Sequence, residues 1–167
     1  MKIQRLTGSA LLLAIALMAQ SLRFVIPMHA ASMFLIGTLV GACTALAVWR
    51  YGLGSGITIS IVTPVMALIQ GMLTIPVFVP IVAVGGIAFA IVMQLMEHRH
   101  MLVTAVVGAV VKCAVLYGSF MVLFELMPSI PEPMKVGVLF SMGWPQLITG
   151  TAGVIVAKIV YNRFIKR

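Results

Sequence analysis

Acidic residues are scarce in this sequence. Of its 167 residues only three are Asp or Glu, charged residues of both signs make up 8%, and hydrophobic residues make up 62%. The three carboxylates, Glu97, Glu125 and Glu132, lie near the ends of apolar segments and none lies deep within one. A relay of buried carboxylates, which carries protons through many membrane pumps, therefore has no residues to use here.

The sequence also lacks the motifs of several other classes of protein. Its two cysteines, Cys43 and Cys113, lie in apolar segments without metal-ligand spacing, so we expect both to pack as small hydrophobic residues. The glycines of GLGSG at 52–56 lack the Lys-Ser/Thr ending of a phosphate-binding loop. We predict no enzyme activity, no metal and no cofactor, and any energy from nucleotide hydrolysis has to come from another chain.

Six long apolar segments dominate the chain. They span about residues 7–23, 32–49, 53–70, 78–96, 101–127 and 135–161. Apolar runs of about 17–25 residues are long enough for helices that cross a bilayer, and the period-two alternation of a membrane β-barrel is missing. We therefore expect an all-α integral membrane protein, in which residues 1–167 form a single domain and a single bundle of six transmembrane helices.

The basic residues indicate how this bundle is oriented. With six spans, most of the eleven Lys and Arg residues fall on one side, namely Lys2, Arg5, Arg50, Arg99, Lys158, Arg163, Lys166 and Arg167. Because basic residues accumulate in cytoplasmic loops, both termini are predicted to be cytoplasmic, and the positive charge is not taken as a sign of nucleic-acid binding. The first segment also fits a cleavable signal peptide, although we expect it to be retained as a helix.

One basic residue, Lys112, is predicted near the middle of the bilayer. At 1.5 Å per residue it lies roughly 17 Å from the cytoplasmic end of its segment. A lysine at that depth costs about 2.5–3.5 kcal/mol on insertion scales, and no carboxylate of this chain lies at the same depth. We predict that Lys112 binds a carboxylate or a carbonyl-rich ligand. The alternative is a structural role, in which backbone carbonyls and Gln146 satisfy it or its side chain extends along a water-filled crevice.

Several residues are expected to share a pocket with Lys112. Ser119 lies on the same face of the fifth segment. Trp144 and Gln146 lie at a similar depth in the sixth segment, where Pro145 is expected to bend the helix. Such a pocket would offer a cation, an amide, a hydroxyl and an aromatic ring within apolar walls, which is the usual composition of a small-molecule site.

Small residues spaced four apart occur in the first two segments. Ala10 and Ala14 form an A-x-x-x-A pair, and Gly37 and Gly41 form a G-x-x-x-G pair. Such pairs allow helices to approach closely in lipid, and they serve either internal packing or the docking of a partner.

The chain as a whole resembles the substrate-binding S components of energy-coupling factor transporters. The resemblance rests on six spans within 167 residues, on the A-x-x-x-A pair, and on SIVTPVMALIQG at 60–71, which precedes a proline-rich outer loop. It implies a multi-pass subunit of a prokaryotic cell membrane that captures a vitamin or similar micronutrient from outside. It also implies docking on a transmembrane coupling subunit driven by two ATPase subunits, after which the S component topples and releases its cargo inside.

The resemblance also implies roles for individual residues. Ala10 and Ala14 match the docking motif of the family. The regions that form its ligand site hold Arg23, Gln70, Lys112, Tyr117, Trp144 and Gln146 in this chain. Because Lys112 has no deep acidic partner, we expect a small anionic cargo such as niacin or pantothenate, followed by biotin or lipoate. The rival interpretations are a self-sufficient secondary transporter or channel, and a membrane scaffold without a ligand.

Overall fold

The computed structural model describes residues 2–26 and 29–165. In these residues the chain forms seven α-helices and no β-strand, which confirms the predicted all-α class. The helices are α1 (Lys2–Ser21), α2 (His29–Tyr51), α3 (Leu53–Ile69), α4 (Phe78–Leu95), α5 (Met101–Leu126), α6 (Glu132–Met142) and α7 (Trp144–Val160). A 3₁₀ turn at Leu22–Phe24 follows α1, and a π-helical turn at Tyr161–Ile165 follows α7.

The helices have the length and composition of membrane spans. Five stretches of the described chain are long and apolar enough to cross a membrane, namely Ile3–Phe24, Ala31–Tyr51, Phe78–Leu95, Met101–Leu126 and Glu132–Arg163. The remaining helix, α3, is also apolar but has only 17 residues, which corresponds to a length of about 26 Å. The prediction of an α-helical membrane bundle is confirmed.

The cytoplasmic location of both termini stays a prediction from charge. Lys166 and Arg167, which contribute to that prediction, lie outside the described residues, and so does the side chain of Lys2. Below, the end of the bundle that holds the start of α1 and the end of α7 is called the inner end, and the opposite end is called the outer end.

The predicted sixth segment, 135–161, is not one continuous helix. α6 ends at Met142, Gly143 has φ −91° and ψ −120°, and α7 begins at Trp144 with Pro145 in its first turn. Proline fits the first turn of a helix because the N–H that it lacks has no helical partner there. The bend expected at Pro145 is therefore a complete break between two helices.

Five helices form a closed ring. α2 packs on α3, α3 on α4, α4 on α5, α5 on α7, and α7 on α2, while α1 lies outside the ring against α2 and α3. The crossing of α2 and α7 is close, since a Cβ added to Gly153 would lie 2.9 Å from Thr38 O and one added to Gly37 would lie 3.0 Å from Thr149 Cβ. The G-x-x-x-G pair of Gly37 and Gly41 therefore serves internal packing.

The inner half of the ring is filled by a core in which α2, α4 and α7 meet. Trp49 Nε1 donates a hydrogen bond to Met93 O at 2.9 Å, which ties α2 to α4. Lys158 Nζ donates to Glu97 O at 2.8 Å and lies 4.6 Å from the centre of the Trp49 ring. Side-chain hydrogen bonds to backbone carbonyls and a cation–π contact thus close this end of the bundle.

In the outer half, apolar side chains fill the space between α4 and α5. Phe78, Phe120 and Phe124 form an aromatic cluster between α4 and α5, with the Phe78 and Phe120 ring centres 5.1 Å apart. Toward α2, α3 and α7 the outer half encloses a cavity, which is described next.

Candidate ligand-binding cavity

A cavity of about 560 Å³ occupies the outer half of the helix ring. This volume lies within the range of about 300–1,000 Å³ that is usual for small-molecule sites. Most of the lining is apolar, and its polar members are Gln20, Arg23, Ser32, Thr44, Ser60, Thr63, Lys112, Ser141 and Gln146. The described lining residues include no Asp or Glu, so the fixed charges facing the cavity are positive.

Lys112 lies at the inner end of this cavity, on α5. Its Nζ is 5.7 Å from the centre of the Phe89 ring, which is within the range of cation–π attraction. Within residues 2–26 and 29–165, no carboxylate and no carbonyl accepts a hydrogen bond from this ammonium group. The contacts with backbone carbonyls or with Gln146 that one form of the structural role predicts are therefore missing from the described part of the chain, while its other form, a side chain that extends along a water-filled crevice, stays a prediction.

Gln146 lies beside the break between α6 and α7. Its Nε2 is 3.4 Å from Ser141 O and 4.0 Å from Met142 Sδ. Both distances are long for hydrogen bonds, so the amide is only weakly held by the protein. Broken helices are tolerated at membrane depth where they face protein or a cavity, and this one places Gln146 on the cavity wall.

Arg23 lies near the outer end of the cavity, in the 3₁₀ turn after α1. Of the residues predicted to bind ligand, Lys112, Gln146 and Arg23 therefore line one cavity. They come from three separate elements of the chain, and the ring closure of the helices brings them together.

The other predicted ligand-binding residues do not line the cavity. Trp144 and Tyr117 are 48% and 43% exposed, and the Trp144 ring packs against Phe140 with 5.6 Å between centres. Ser119 is half-buried on α5 and does not border the cavity. Gln70 instead joins the outer ends of α3 and α1 through a hydrogen bond from its Nε2 to Ser21 Oγ, 3.2 Å long.

The sequence did not single out several polar residues that do line the cavity, among them Gln20, Thr44, Ser60, Thr63 and Ser141. Hydroxyl residues within apolar helices give a weak signal because they can satisfy themselves on their own helix. The spacing of Ser60 and Thr63 could have indicated a polar face on this helix, since residues three apart share one helix face.

The alanine pair of the first helix lies on the outside of the bundle. Ala10 and Ala14 are exposed, whereas Ala16 and Ala19 are buried against the ring. The exposed surface of α1 also carries large apolar side chains, at Ile3, Leu6, Leu11, Ile15 and Met18.

Comparisons of the chain with protein-family models, with curated proteins and with solved structures found no match. The fold and the cavity define an all-α membrane protein whose helix ring encloses space for a small molecule. Its function is argued from the residues of that cavity.

Proposed function

We propose that this protein is the substrate-binding subunit of an ATP-driven importer of the energy-coupling factor type. It captures a small anionic or carbonyl-rich micronutrient, with niacin and pantothenate as first candidates, from outside the cell. The observation that carries this proposal is Lys112, a cation at the inner end of a largely apolar cavity with no acidic residue among its described lining. A carboxylate of the cargo supplies the missing partner through charge-assisted hydrogen bonds, which contribute about 1.5–3 kcal/mol.

The surface of α1 supports a subunit that works with a separate motor. The sequence has no nucleotide-binding motif, so hydrolysis has to occur on partner chains. Ala10 and Ala14 are exposed on α1, and small residues at that spacing allow a partner helix to approach closely. The proposed partners are a transmembrane coupling subunit and two ATPase subunits.

Ligand binding is tested on the isolated protein. The protein is purified in detergent, the small molecules that co-purify are released and identified by mass spectrometry, and their affinities are measured by titration. A carboxylate of vitamin size is expected. A protein that carries no small molecule and binds no member of a broad micronutrient panel would contradict the proposal and favour the scaffold interpretation.

Docking is tested with Ala10→Trp and Ala14→Trp. We expect both variants to bind cargo with wild-type affinity but to lose uptake in cells that contain the coupling and ATPase subunits, because the indole prevents close helix approach. Ala114→Trp, at an exposed alanine on α5, is the matched control and is expected to keep uptake. Normal uptake by the α1 variants would show that this face does not couple transport.

A second candidate function is a self-sufficient secondary transporter. The break at Gly143 favours it, because discontinuous helices form the central binding sites of many such transporters. Uptake into vesicles that contain this protein alone, driven by an ion gradient, would establish the second candidate. Binding without uptake in the same vesicles would favour the subunit.

A further inference from the structure

We infer that the cargo, besides the acceptor group that meets Lys112, carries O–H or N–H donors that face α2 and α3. This inference rests on the proposed function and narrows its substrate class. It follows from the hydrogen bonds that the cavity-lining side chains already make within the protein, because these bonds determine which of their donors and acceptors remain for a ligand.

Three hydroxyl groups on α2 and α3 that border the cavity already use their protons within the protein. Thr44 Oγ1, Ser60 Oγ and Thr63 Oγ1 each donate to the carbonyl oxygen four residues earlier in their own helix, at 2.9, 2.9 and 2.8 Å. All three residues are buried and line the cavity. Because a hydroxyl has one proton and two lone pairs, these groups can offer a ligand only their lone pairs.

Two further acceptors lie on the same side. Pro64 lies within α3 and has no N–H, so Ser60 O lacks its usual helical donor. Gln20 donates through Nε2 to Thr63 O at 3.0 Å, and its Oε1 is buried without a donor among the described residues. Gln20 also lines the cavity and is 5% exposed. The wall formed by α1, α2 and α3 is therefore rich in acceptors, and Arg23 in the turn after α1 adds a donor near the outer end of the cavity.

The opposite wall presents the donors Lys112 and Gln146, and also Ser141, whose hydroxyl already donates to Val138 O at 3.0 Å. In the helix ring, α3 is separated from α5 and α7 by α4 and α2. The Lys112 ammonium on α5 and the Gln146 amide on α7 thus belong to helices that do not neighbour α3 in the ring, and no hydrogen bond joins them to Ser60 or Thr63 in the described residues.

A ligand that fits both walls has its acceptor at one side and its donors at the other. A cargo with a carboxylate alone would satisfy Lys112 but would leave Gln20 Oε1 and the hydroxyl lone pairs of α2 and α3 without donors, so it would lack the hydrogen bonds that a donor-bearing cargo forms there. Sites built with hydrogen-bonding groups discriminate strongly against analogues that lack the matching group. Among the four carboxylates considered above, pantothenate has hydroxyl and amide donors and biotin has ureido N–H donors. Niacin and lipoate have no donor apart from the carboxyl group.

The test compares these four carboxylates by calorimetric titration on purified wild-type protein. We expect pantothenate or biotin to bind at least about tenfold more tightly than niacin and lipoate. Ser60→Ala and Thr63→Val each remove one acceptor with little change in volume. Each is expected to weaken the donor-bearing ligand about two- to tenfold and to leave the donor-poor ligands unchanged.

Thr58→Val is the matched control. Thr58 lies on the same helix and donates to Gly54 O at 3.0 Å in the same way, but it is exposed and faces a groove next to α1 instead of the cavity. We expect this variant to bind every ligand as wild type does. Thermal unfolding of all three variants shows whether they keep the native fold, and the comparison of ligands on wild-type protein needs no variant at all.

The outcomes separate the inference from the proposed function. Equal or tighter binding of niacin or lipoate, with no effect of Ser60→Ala or Thr63→Val, would overturn the inference while a carboxylate-binding subunit stands. Binding of none of the four carboxylates would overturn both the anionic substrate class and the inference that rests on it.

Discussion

Replacement of Lys112 by Met separates a ligand-binding lysine from a structural one. Methionine is unbranched, close in length to the lysine side chain and easily accommodated among apolar neighbours. The substitution therefore removes the charge and its three N–H donors while leaving the shape of the cavity largely intact. Two measurable quantities, cargo affinity and stability of the unliganded protein, are expected to respond in different directions.

Affinity is expected to fall by about 10- to 150-fold. This range corresponds to the loss of charge-assisted hydrogen bonds contributing about 1.5–3 kcal/mol. Stability without cargo is expected to rise. A lysine at mid-depth costs about 2.5–3.5 kcal/mol on insertion scales, and the described structure offsets it only through the Phe89 ring at 5.7 Å, a contact worth about 0.5–2 kcal/mol. We therefore expect Lys112→Met to stabilise the unliganded protein by about 0.5–3 kcal/mol.

The assay pairs calorimetric titration of the identified cargo with thermal unfolding in detergent. Lys135→Met is the control, because Lys135 forms an ion pair with Glu132 at 2.7 Å outside the cavity. Glu132 is 79% exposed, and ion pairs of this kind contribute at most about 1 kcal/mol, so both quantities should stay near wild type. A Lys112→Met protein with unchanged affinity and a clearly lowered melting temperature would refute the reasoning and assign Lys112 a structural role.

Two further predictions concern the packing that closes the bundle. Gly153→Ala brings a methyl group to 2.9 Å from Thr38 O on α2 and is expected to destabilise by about 1–3 kcal/mol in thermal unfolding, because neither backbone can move away cheaply. Gly118→Ala, which meets open space, is the control, and equal losses in both variants would contradict this reading of the crossing. Trp49→Phe loses the hydrogen bond from the indole N–H to Met93 O and is expected to lower stability by about 1–3 kcal/mol in the same assay. A variant as stable as wild type would show that this hydrogen bond does not stabilise the inner end of the bundle.

The helix content of the bundle was predictable because bilayer thickness sets the length of an apolar span. The length and hydrophobicity of each segment therefore gave the spans directly. The break at Gly143 was not predictable in this way, since the apolar character of the chain continues through it. Pro145 indicated a disturbance, but a proline inside a span is compatible with a bend as well as with a break.

Side-chain polarity identified residues that line the cavity better than closeness in sequence did. Lys112 and Gln146 were found because polar groups at membrane depth need partners, and Arg23 was found from its place in an outer loop and from the family resemblance. Trp144 was grouped with Gln146, but residues two apart on a helix do not face the same way, and Trp144 lies exposed instead. Ser119 shares the face of Lys112 but lies about 10 Å further toward the outer end.

The inner half of the bundle is filled by a core, whereas the outer half holds the cavity. This difference favours release of the proposed cargo by reorientation of the whole bundle over release through a gate within it. The proposed cargo position at Lys112 is separated from the inner end by a core that includes the Trp49 bond to Met93 and the Lys158 contact with the Trp49 ring. An inward gate would have to expose that core and break its buried hydrogen bond, which is unfavourable in an apolar interior. Reorientation of the intact bundle against a partner on the exposed face of α1 leaves these contacts unbroken. The closed inner half thus supports release driven by a separate motor, as a transporter subunit requires, more than alternating access within one chain.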